Sequence, residues 1–131
     1  MPSLELYTED LLPVTQAARH ARDVVTEACV RWDLDHLTGP ATLIVSELVS
    51  NVVDHAHTMM TLEISRHDSF VCLTVRDGSS APPIPRRDSD TTTPGGFGLR
   101  LVAFSSADWG WRPEPGGKAV WATLALDESA A

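Results

Sequence analysis

The stretch SELVSNVVDHAH, Ser46 to His57, decides the fold, because it combines a helical apolar stripe with a row of polar residues. Glu47, Asn51 and His55 are spaced four apart, and each such step advances by only about 40° around a helix. The three side chains are therefore expected along one border of the helix, where they suit a binding or catalytic site. A solvated helix flank is the alternative for this stretch alone. The neighbouring apolar arc consists of Ala41, Ile44, Val45, Leu48, Val49, Val52, Val53 and Ala56.

Length and composition restrict the class of protein. The 131 residues favour a single domain over 1–131, and a hydrophobic content of 43% argues against disorder. A net charge of −8, with Lys118 as the only lysine, makes nucleic acid and anionic membranes poor partners. No apolar run is long enough to cross a bilayer, and no signal-peptide pattern is present. With two isolated cysteines, Cys29 and Cys72, the chain is expected to be cytoplasmic, with free buried thiols.

The spacing of apolar residues and of glycine and proline predicts the order of the elements. That order is strand, helix, helix, strand, strand, long loop, helix, strand, strand. It predicts an α+β fold with a mostly antiparallel sheet covered by helices on one face. The expected strands are 4–8, 61–65, 70–76, 109–112 and 118–126, and the expected helices are 13–32, 40 to 55 or 57, and 97–105, with Pro13 and Pro40 marking two helix starts.

Two glycine-containing segments lie on either side of the long loop. Asp77-Gly78 ends a central strand, and Gly95-Gly96-Phe97-Gly98-Leu99 precedes the short helix. Glycines before a helix let the backbone approach an anion closely, although each segment by itself is also typical of an ordinary turn. The loop over 79–96 is rich in proline, serine and threonine, so it is expected to be a functional lid or disordered.

The ordered set of motifs resembles the GHKL (Bergerat-fold) ATP-binding superfamily. SELVSNVVDHA is similar to its N box, VRDGSSAPP to its first glycine box and GGFGLRLV to its second. The terminal WGWRPEPGGKAVWATL is similar to the closing hairpin of the small single-domain branch of anti-sigma factor serine/threonine kinases. The resemblance implies a two-layer α/β sandwich, the Bergerat or HATPase fold, with a mostly antiparallel mixed sheet and a flexible ATP lid.

The resemblance also implies a role for each matching residue. Glu47 is the expected general base, and Asn51 is the expected ligand of Mg²⁺. Asp77 is expected to accept a hydrogen bond from the adenine amino group, while Gly78 lets the chain turn beneath the base. His55 is interpreted as structural, packed between Ile44 and Leu48. The remaining ATP contacts are expected from Gly96, Gly98 and Leu99, and Arg86 and Arg87 are either phosphate clamps or solvated loop residues.

Two functions remain open. The leading one is a GHKL-type serine/threonine protein kinase that uses ATP and Mg²⁺, phosphorylates an anti-sigma antagonist and sequesters a sigma factor, with a homodimer as one expected assembly. Glu47 favours it, because ATP binding alone needs no base. The alternative is a non-catalytic ATP-binding module that acts through nucleotide-dependent protein association. It is favoured by the irregular Asp77-Gly78-Ser79-Ser80, which lacks the family spacing Asp-x-Gly-x-Gly, and by Lys118 standing where close relatives often have a threonine.

Overall fold

The described part of the chain forms a helical layer packed on one face of a sheet. The structure is a computed structural model that describes residues 5–83 and 107–126. None of the helices in these ranges is long and apolar enough to cross a membrane. The elements are β1 (Glu5–Leu11), α1 (Ala17–Arg31), a 3₁₀ turn (Asp35–Leu37), α2 (Thr38–Asn51), a π-helical turn (Val52–Ala56), β2 (Met60–Arg66), β3 (Phe70–Asp77), β4 (Asp108–Glu114) and β5 (Gly117–Ala125). The α+β class is confirmed, while the helix predicted over 97–105 lies outside the described residues.

Both long helices begin at positions other than those their prolines predict. α1 starts at Ala17 rather than at Pro13, after a turn in which the Ala17 N–H donates to the Val14 carbonyl at 2.9 Å. Val14 is exposed, so the row of side chains that packs α1 against the core starts only at Ala17. α2 starts at Thr38 and holds Pro40 within its first turn. A proline is tolerated there because the first N–H groups of a helix have no acceptor within the helix.

The N-box helix does not stay α-helical to its end. α2 passes into the π-helical turn, in which the His57 N–H donates to the Val52 carbonyl at 2.9 Å, and His57 ends it in the left-handed region with φ 57°. A π turn contains more residues per turn than an α-helix, so it rotates His55 relative to the row set by Asn51. Such turns are frequent at functional sites, where they redirect side chains.

The sheet has the strand order β1-β2-β3-β5-β4. Each described pair is antiparallel, so no parallel pair of the expected mixed sheet occurs within residues 5–83 and 107–126. Alternate residues of the two central strands face the helices and are buried: Val71, Leu73 and Val75 in β3, and Val120, Ala122 and Leu124 in β5. At the same end of the sheet, each row finishes in a charged residue, Asp77 in β3 and Lys118 in β5. These two residues are directly paired across the strands.

The core lies between the helices and this inward face of the sheet. Its fully buried side chains include Val25 of α1, Ile44 and Leu48 of α2, and Leu62 and Leu73 of the sheet. Each large apolar side chain that is buried in this way contributes roughly 1.5–3 kcal/mol relative to exposure. The core therefore stabilises the sandwich, and the polar ends of β3 and β5 lie at its margin.

The two cysteines are free, as the sequence predicts, but only Cys29 is buried and Cys72 is half-buried. Burial raises the pKa of the Cys29 thiol, and burial likewise raises the pKa of the Cys72 thiol. The thiolate is the reactive form of cysteine, so both residues are weak nucleophiles at neutral pH. Neither is a candidate catalytic residue.

The hairpin between β4 and β5 depends on two adjacent glycines. Gly116 has φ +81°, which only glycine adopts readily, and it forms the turn together with Pro115. Gly117 lies against the backbone of β3, and a Cβ atom placed there would overlap the carbonyl oxygen of Asp77. The absence of a side chain at Gly117 thus lets β5 approach closely enough to bring Lys118 beside Asp77.

Gly117→Ala is expected to lower the free energy of unfolding by about 1–3 kcal/mol, because the new methyl group must displace the backbone of β3. Gly39→Ala is the matched control, since a Cβ atom at Gly39 would meet nothing within 4 Å and alanine is the better helix former. Urea unfolding of both variants measures the difference. Equal stability of the two variants would contradict the close approach at Gly117.

Candidate functional site

A pocket opens between the helical layer and the sheet, at the edge where the inward rows of β3 and β5 end. About 440 Å³ of it is not filled by protein atoms, and part of this space is open to solvent. Most of the lining is apolar, with a few polar groups among it, which is the usual composition of a small-molecule site. The lining residues are Leu48, Asn51, Val52, His55 and Ala56 from the helical side, Val75, Asp77, Lys118 and Val120 from the sheet, and Ser79, Ala81, Pro82 and Pro83 from the following segment.

Asp77 is the polar centre of this pocket, and its side chain is only 1% exposed. Its Oδ1 atom accepts hydrogen bonds from the Ser79 backbone N–H at 2.8 Å and from Lys118 Nζ at 3.2 Å. Its Oδ2 atom lies 3.0 Å from Lys118 Nζ but has no hydrogen-bond partner among the described residues. A buried acceptor without a donor is costly. The ion pair with Lys118 offsets part of that cost, and the carboxylate keeps lone pairs that can accept an N–H group of a ligand.

Lys118, the only lysine of the chain, lines the pocket. The residue is 6% exposed, and its ammonium group contacts both oxygens of the Asp77 carboxylate. Each charge offsets part of the cost of burying the other, so the pair as a whole adds no net charge to the pocket. The floor of the pocket therefore presents one cationic donor and one anionic acceptor side by side.

The loop that follows the π-helical turn is hydrogen-bonded to the residue just after β3. Thr58 Oγ1 accepts a hydrogen bond from the Gly78 backbone N–H at 2.9 Å. A Cβ atom at Gly78 would make only ordinary contacts with Thr58, so space alone does not require glycine at that position. This hydrogen bond and the one from the Ser79 N–H to Asp77 Oδ1 fix the backbone next to Asp77 and thereby the position of its carboxylate.

The N-box residues occupy the helical side, in three different situations. Asn51 is half-buried at the end of α2 and lines the pocket. Glu47 is half-buried one turn earlier and is not among the lining residues. His55 lines the pocket and is exposed, so its predicted packing between Ile44 and Leu48 is wrong. The π-helical turn explains this difference, because it ends the α-helical projection before His55.

Part of the predicted site lies outside the described residues. This applies to Gly96, Gly98 and Leu99 of the second glycine box, to Arg86 and Arg87, and to the lid from residue 84 onward. Of the predicted lid, the structure describes residues 79–83, in which the Ala81 N–H donates to Ser79 Oγ at 3.2 Å. Ser79, Ala81, Pro82 and Pro83 complete the lining of the pocket beside Asp77.

The residues that the structure describes contain no group of three or more His, Cys, Asp or Glu side chains that could hold a metal ion. Mg²⁺ that accompanies a nucleotide needs no such group, because it is usually held by one or two protein oxygens, substrate phosphates and water. Asn51 fits that kind of site, since the residue lines the pocket and its amide oxygen is a hard donor.

Comparison with known families decides to which of them the chain belongs. The model of the histidine kinase-like ATPase domain family matches residues 13–124, which is most of the chain. The chain belongs to the histidine kinase-like ATPase domain family. The resemblance to the GHKL superfamily that the N box and glycine boxes indicate is thereby confirmed. No curated protein sequence matches the chain.

A solved structure shares the fold of this histidine kinase-like ATPase domain. The crystal structure of the RsbU and RsbW domains of Rv1364c from Mycobacterium tuberculosis matches 92% of the chain with a TM-score of 0.70 and 18% sequence identity. The chain spans 32% of the length of that protein chain. At this level of identity, the match supports the two-layer architecture.

Lys118 of this ATPase domain departs from the family pattern, and Thr58 is not among the residues that the sequence predicts for the site. The sequence does contain a pattern that indicates the position of Lys118. It stands two residues before Val120, so its side chain lies on the same inward face of β5 as the apolar row. Its partner Asp77 is 41 residues away in the chain, and only the pairing of β3 with β5 brings the two together. No comparable pattern marks Thr58, which lies in an irregular loop.

Asp77→Asn is expected to destabilise the domain by about 3–5 kcal/mol, because it leaves the ammonium of Lys118 buried without its counter-charge. The double variant Asp77→Asn, Lys118→Met removes both charges and should be more stable than Asp77→Asn alone. Urea unfolding of the wild type, the two single variants and the double variant completes the cycle. If the losses of the single variants simply add in the double variant, the two side chains do not stabilise each other.

Proposed function

We propose that the chain binds ATP with Mg²⁺ and transfers the γ-phosphoryl group to a serine or threonine of a partner protein. Membership of the histidine kinase-like ATPase domain family supports the binding of ATP. The observation that carries the proposal is the buried carboxylate of Asp77, which lies beside the ammonium of Lys118 in a pocket that is otherwise mainly apolar. An aromatic base that carries one N–H donor on its edge satisfies both properties of the pocket.

Adenine is such a base. Its 6-amino group donates to Oδ2 of Asp77, and its ring faces contact the apolar lining of Val52, Val75 and Val120. Guanine carries a carbonyl oxygen in place of the amino group, which would set two acceptors against each other. Sites that hydrogen-bond a particular substrate group reject an analogue that lacks it, because the buried partner is left unpaired.

The phosphates of ATP extend from the base toward the N-box helix and the second glycine box. Asn51 supplies an oxygen ligand to Mg²⁺, which supplies charge neutralisation for the phosphate oxygens when it is bound. Gly96, Gly98 and Leu99 offer backbone N–H groups at the start of the predicted short helix, and Arg86 and Arg87 offer cationic side chains. An acidic chain with a single lysine needs such local contacts to hold a triphosphate.

Glu47 supports phosphoryl transfer in addition to binding. It lies one helical turn before Asn51, the proposed magnesium ligand, and on the same side of α2. In the proposed reaction Glu47 accepts the proton of the attacking serine or threonine hydroxyl. The oxygen of that hydroxyl forms a bond to the γ-phosphorus, the bond to the β-γ bridging oxygen breaks, and ADP leaves.

The proposed partners are an anti-sigma antagonist, as the phosphorylated protein, and a sigma factor that the chain sequesters in the cytoplasm. The resemblance to the small anti-sigma factor kinases supports these partners. The crystal structure with the same fold includes an RsbW domain of another protein. The acidic chain, with a net charge of −8, favours proteins over nucleic acid as partners, and a homodimer is part of the proposal.

A non-catalytic ATP-binding module is the second candidate, and the irregular first glycine box favours it. Ser79 and Ala81 stand where the family spacing Asp-x-Gly-x-Gly has glycine, and the Ser79 N–H is already used by Asp77. In this alternative the bound nucleotide changes the surface that meets a partner protein, and Glu47 transfers no proton. The two candidates share the adenine pocket and differ only in the fate of the γ-phosphoryl group.

Glu47→Gln separates the two candidates. The kinase proposal predicts that this variant binds ATP-Mg²⁺ like the wild type but transfers phosphate roughly 10²–10⁴-fold more slowly, because the amide cannot accept the proton. Asn51→Ala is the matched control on the same helix, and it is expected to lose the Mg²⁺-dependent part of ATP binding. Titration calorimetry measures binding, and radiolabelled transfer to antagonist proteins measures activity.

Transfer by Glu47→Gln at the wild-type rate would contradict the role of the base. If the wild type binds ATP-Mg²⁺ but transfers no phosphate to any antagonist protein, the non-catalytic candidate is correct. If Asn51→Ala binds ATP-Mg²⁺ with undiminished affinity, the magnesium role is wrong.

A further inference from the structure

Lys118 occupies a position that is costly for a lysine. Lysine is among the residues that are least often buried, and removing an ammonium group from water requires compensation by a counter-charge and hydrogen bonds. The only lysine of this chain is nevertheless 6% exposed and lines the proposed adenine pocket. An apolar residue in its place would continue the row of Val120, Ala122 and Leu124 and would need no counter-charge.

The ammonium group has hydrogen-bonding capacity beyond its contact with Asp77. An ammonium carries three N–H donors, and among the described residues one of them donates to Oδ1 of Asp77 at 3.2 Å. The Oδ2 atom lies 3.0 Å from Nζ as well, so the ion pair with Asp77 uses at most two of the three donors. At least one donor of Lys118 and the remaining lone pairs of the Asp77 carboxylate are therefore available to a ligand, at adjacent points of one pocket.

We propose that Lys118 is a second base-reading residue, which donates a hydrogen bond to the ring nitrogen N1 of adenine while Asp77 accepts one from the 6-amino group. This inference rests on the proposed binding of ATP. A donor and an acceptor side by side match the Watson–Crick edge of adenine, on which the 6-amino donor and the N1 acceptor are neighbours. The pair then reads two atoms of the base where Asp77 alone reads one.

The depth of the pair in the pocket favours N1 over the other acceptors of the base. Asp77 and Lys118 are the most buried polar residues of the described chain and stand at the end of the apolar rows. The part of adenine that reaches deepest is the six-membered ring, because the sugar and phosphates on the other ring must extend toward Asn51. N1 belongs to that deep end, whereas N7 lies on the five-membered ring.

The same arrangement strengthens the rejection of guanine. In the pose of adenine, guanine would set its carbonyl oxygen against Oδ2 of Asp77 and its N1–H against the ammonium of Lys118. Both contacts would join groups of the same kind, two acceptors and two donors, at the buried end of the pocket. Lys118 thereby supplies discrimination that the irregular first glycine box and the missing threonine would otherwise weaken.

A purely structural role is the competing explanation, in which Lys118 only neutralises Asp77. Ligands that differ in one ring atom separate the two roles, because they leave the protein unchanged. In 1-deaza-ATP a C–H group replaces N1, and in 7-deaza-ATP a C–H group replaces N7. A structural counter-ion predicts the same affinity for ATP and 1-deaza-ATP, whereas a donor to N1 predicts a specific loss.

The experiment measures the dissociation constants of ATP, 1-deaza-ATP and 7-deaza-ATP with Mg²⁺ by titration calorimetry, first on the wild-type chain. Loss of a hydrogen bond to a charged donor is expected to weaken 1-deaza-ATP by about 10- to 100-fold, and 7-deaza-ATP should bind like ATP. Lys118→Gln keeps an N–H donor and should retain part of the preference for ATP over 1-deaza-ATP. Lys118→Met keeps the length without the donor and should bind both equally.

A second measurement uses the fact that Lys118 is the only lysine. Selective isotope labelling of lysine gives a single side-chain signal in the magnetic resonance spectrum, and ATP is expected to shift it more than 1-deaza-ATP does. This comparison on the wild-type chain decides the question even if Lys118→Met does not fold.

Equal affinities of ATP and 1-deaza-ATP for the wild type would overturn the role of Lys118 and leave the proposed ATP site intact. A loss confined to 7-deaza-ATP would overturn it too, because the donor would then meet the other ring. Absence of any ATP binding would overturn this inference together with the proposed function, so the two failures are distinguishable.

Discussion

The ion pair between Asp77 and Lys118 is the interaction on which the site depends. It forms because β3 and β5 pair in one register, and because Gly117 carries no side chain that would hold the two strands apart. A slip of one residue in either strand would turn its charged residue to the opposite face of the sheet. The same register aligns the apolar rows that build the core. Packing of the core and placement of the carboxylate are therefore fixed together.

The short distances within this ion pair do not make it a large contribution to the stability of the fold. A buried ion pair gains little over well-packed apolar residues, because both charges lose their hydration. Stability must come mainly from the apolar contacts of Ile44, Leu48, Leu62 and Leu73, which are fully buried. The pair keeps a carboxylate oxygen in a dry place without a net charge. Local rules of packing are most often broken at functional sites, and here the break lies at the end of two otherwise regular strands.

The sequence predicts those parts of the molecule whose signals are local. Alternation in FVCLTVR and AVWATLAL predicts β3 and β5 nearly to the residue, and the motif order predicts that Asn51 and Asp77 belong to one site. Helix starts are predicted less well, because a proline can stand within the first turn of a helix, as Pro40 does, or ahead of the helix, as Pro13 does. The π-helical turn has no pattern in the sequence. The Asp77–Lys118 pair also escapes prediction, since it depends on a cross-strand register between residues 41 apart.

The most direct test is a crystal structure of the chain with Mg²⁺ and a non-hydrolysable ATP analogue. The base should lie in the pocket between the π-helical turn and β3, with its 6-amino group within hydrogen-bond distance of Oδ2 of Asp77. The Mg²⁺ ion should contact the amide oxygen of Asn51 and the phosphates of the analogue. A nucleotide bound elsewhere, or a base in this pocket without a donor to Asp77, would contradict the assignment of the site.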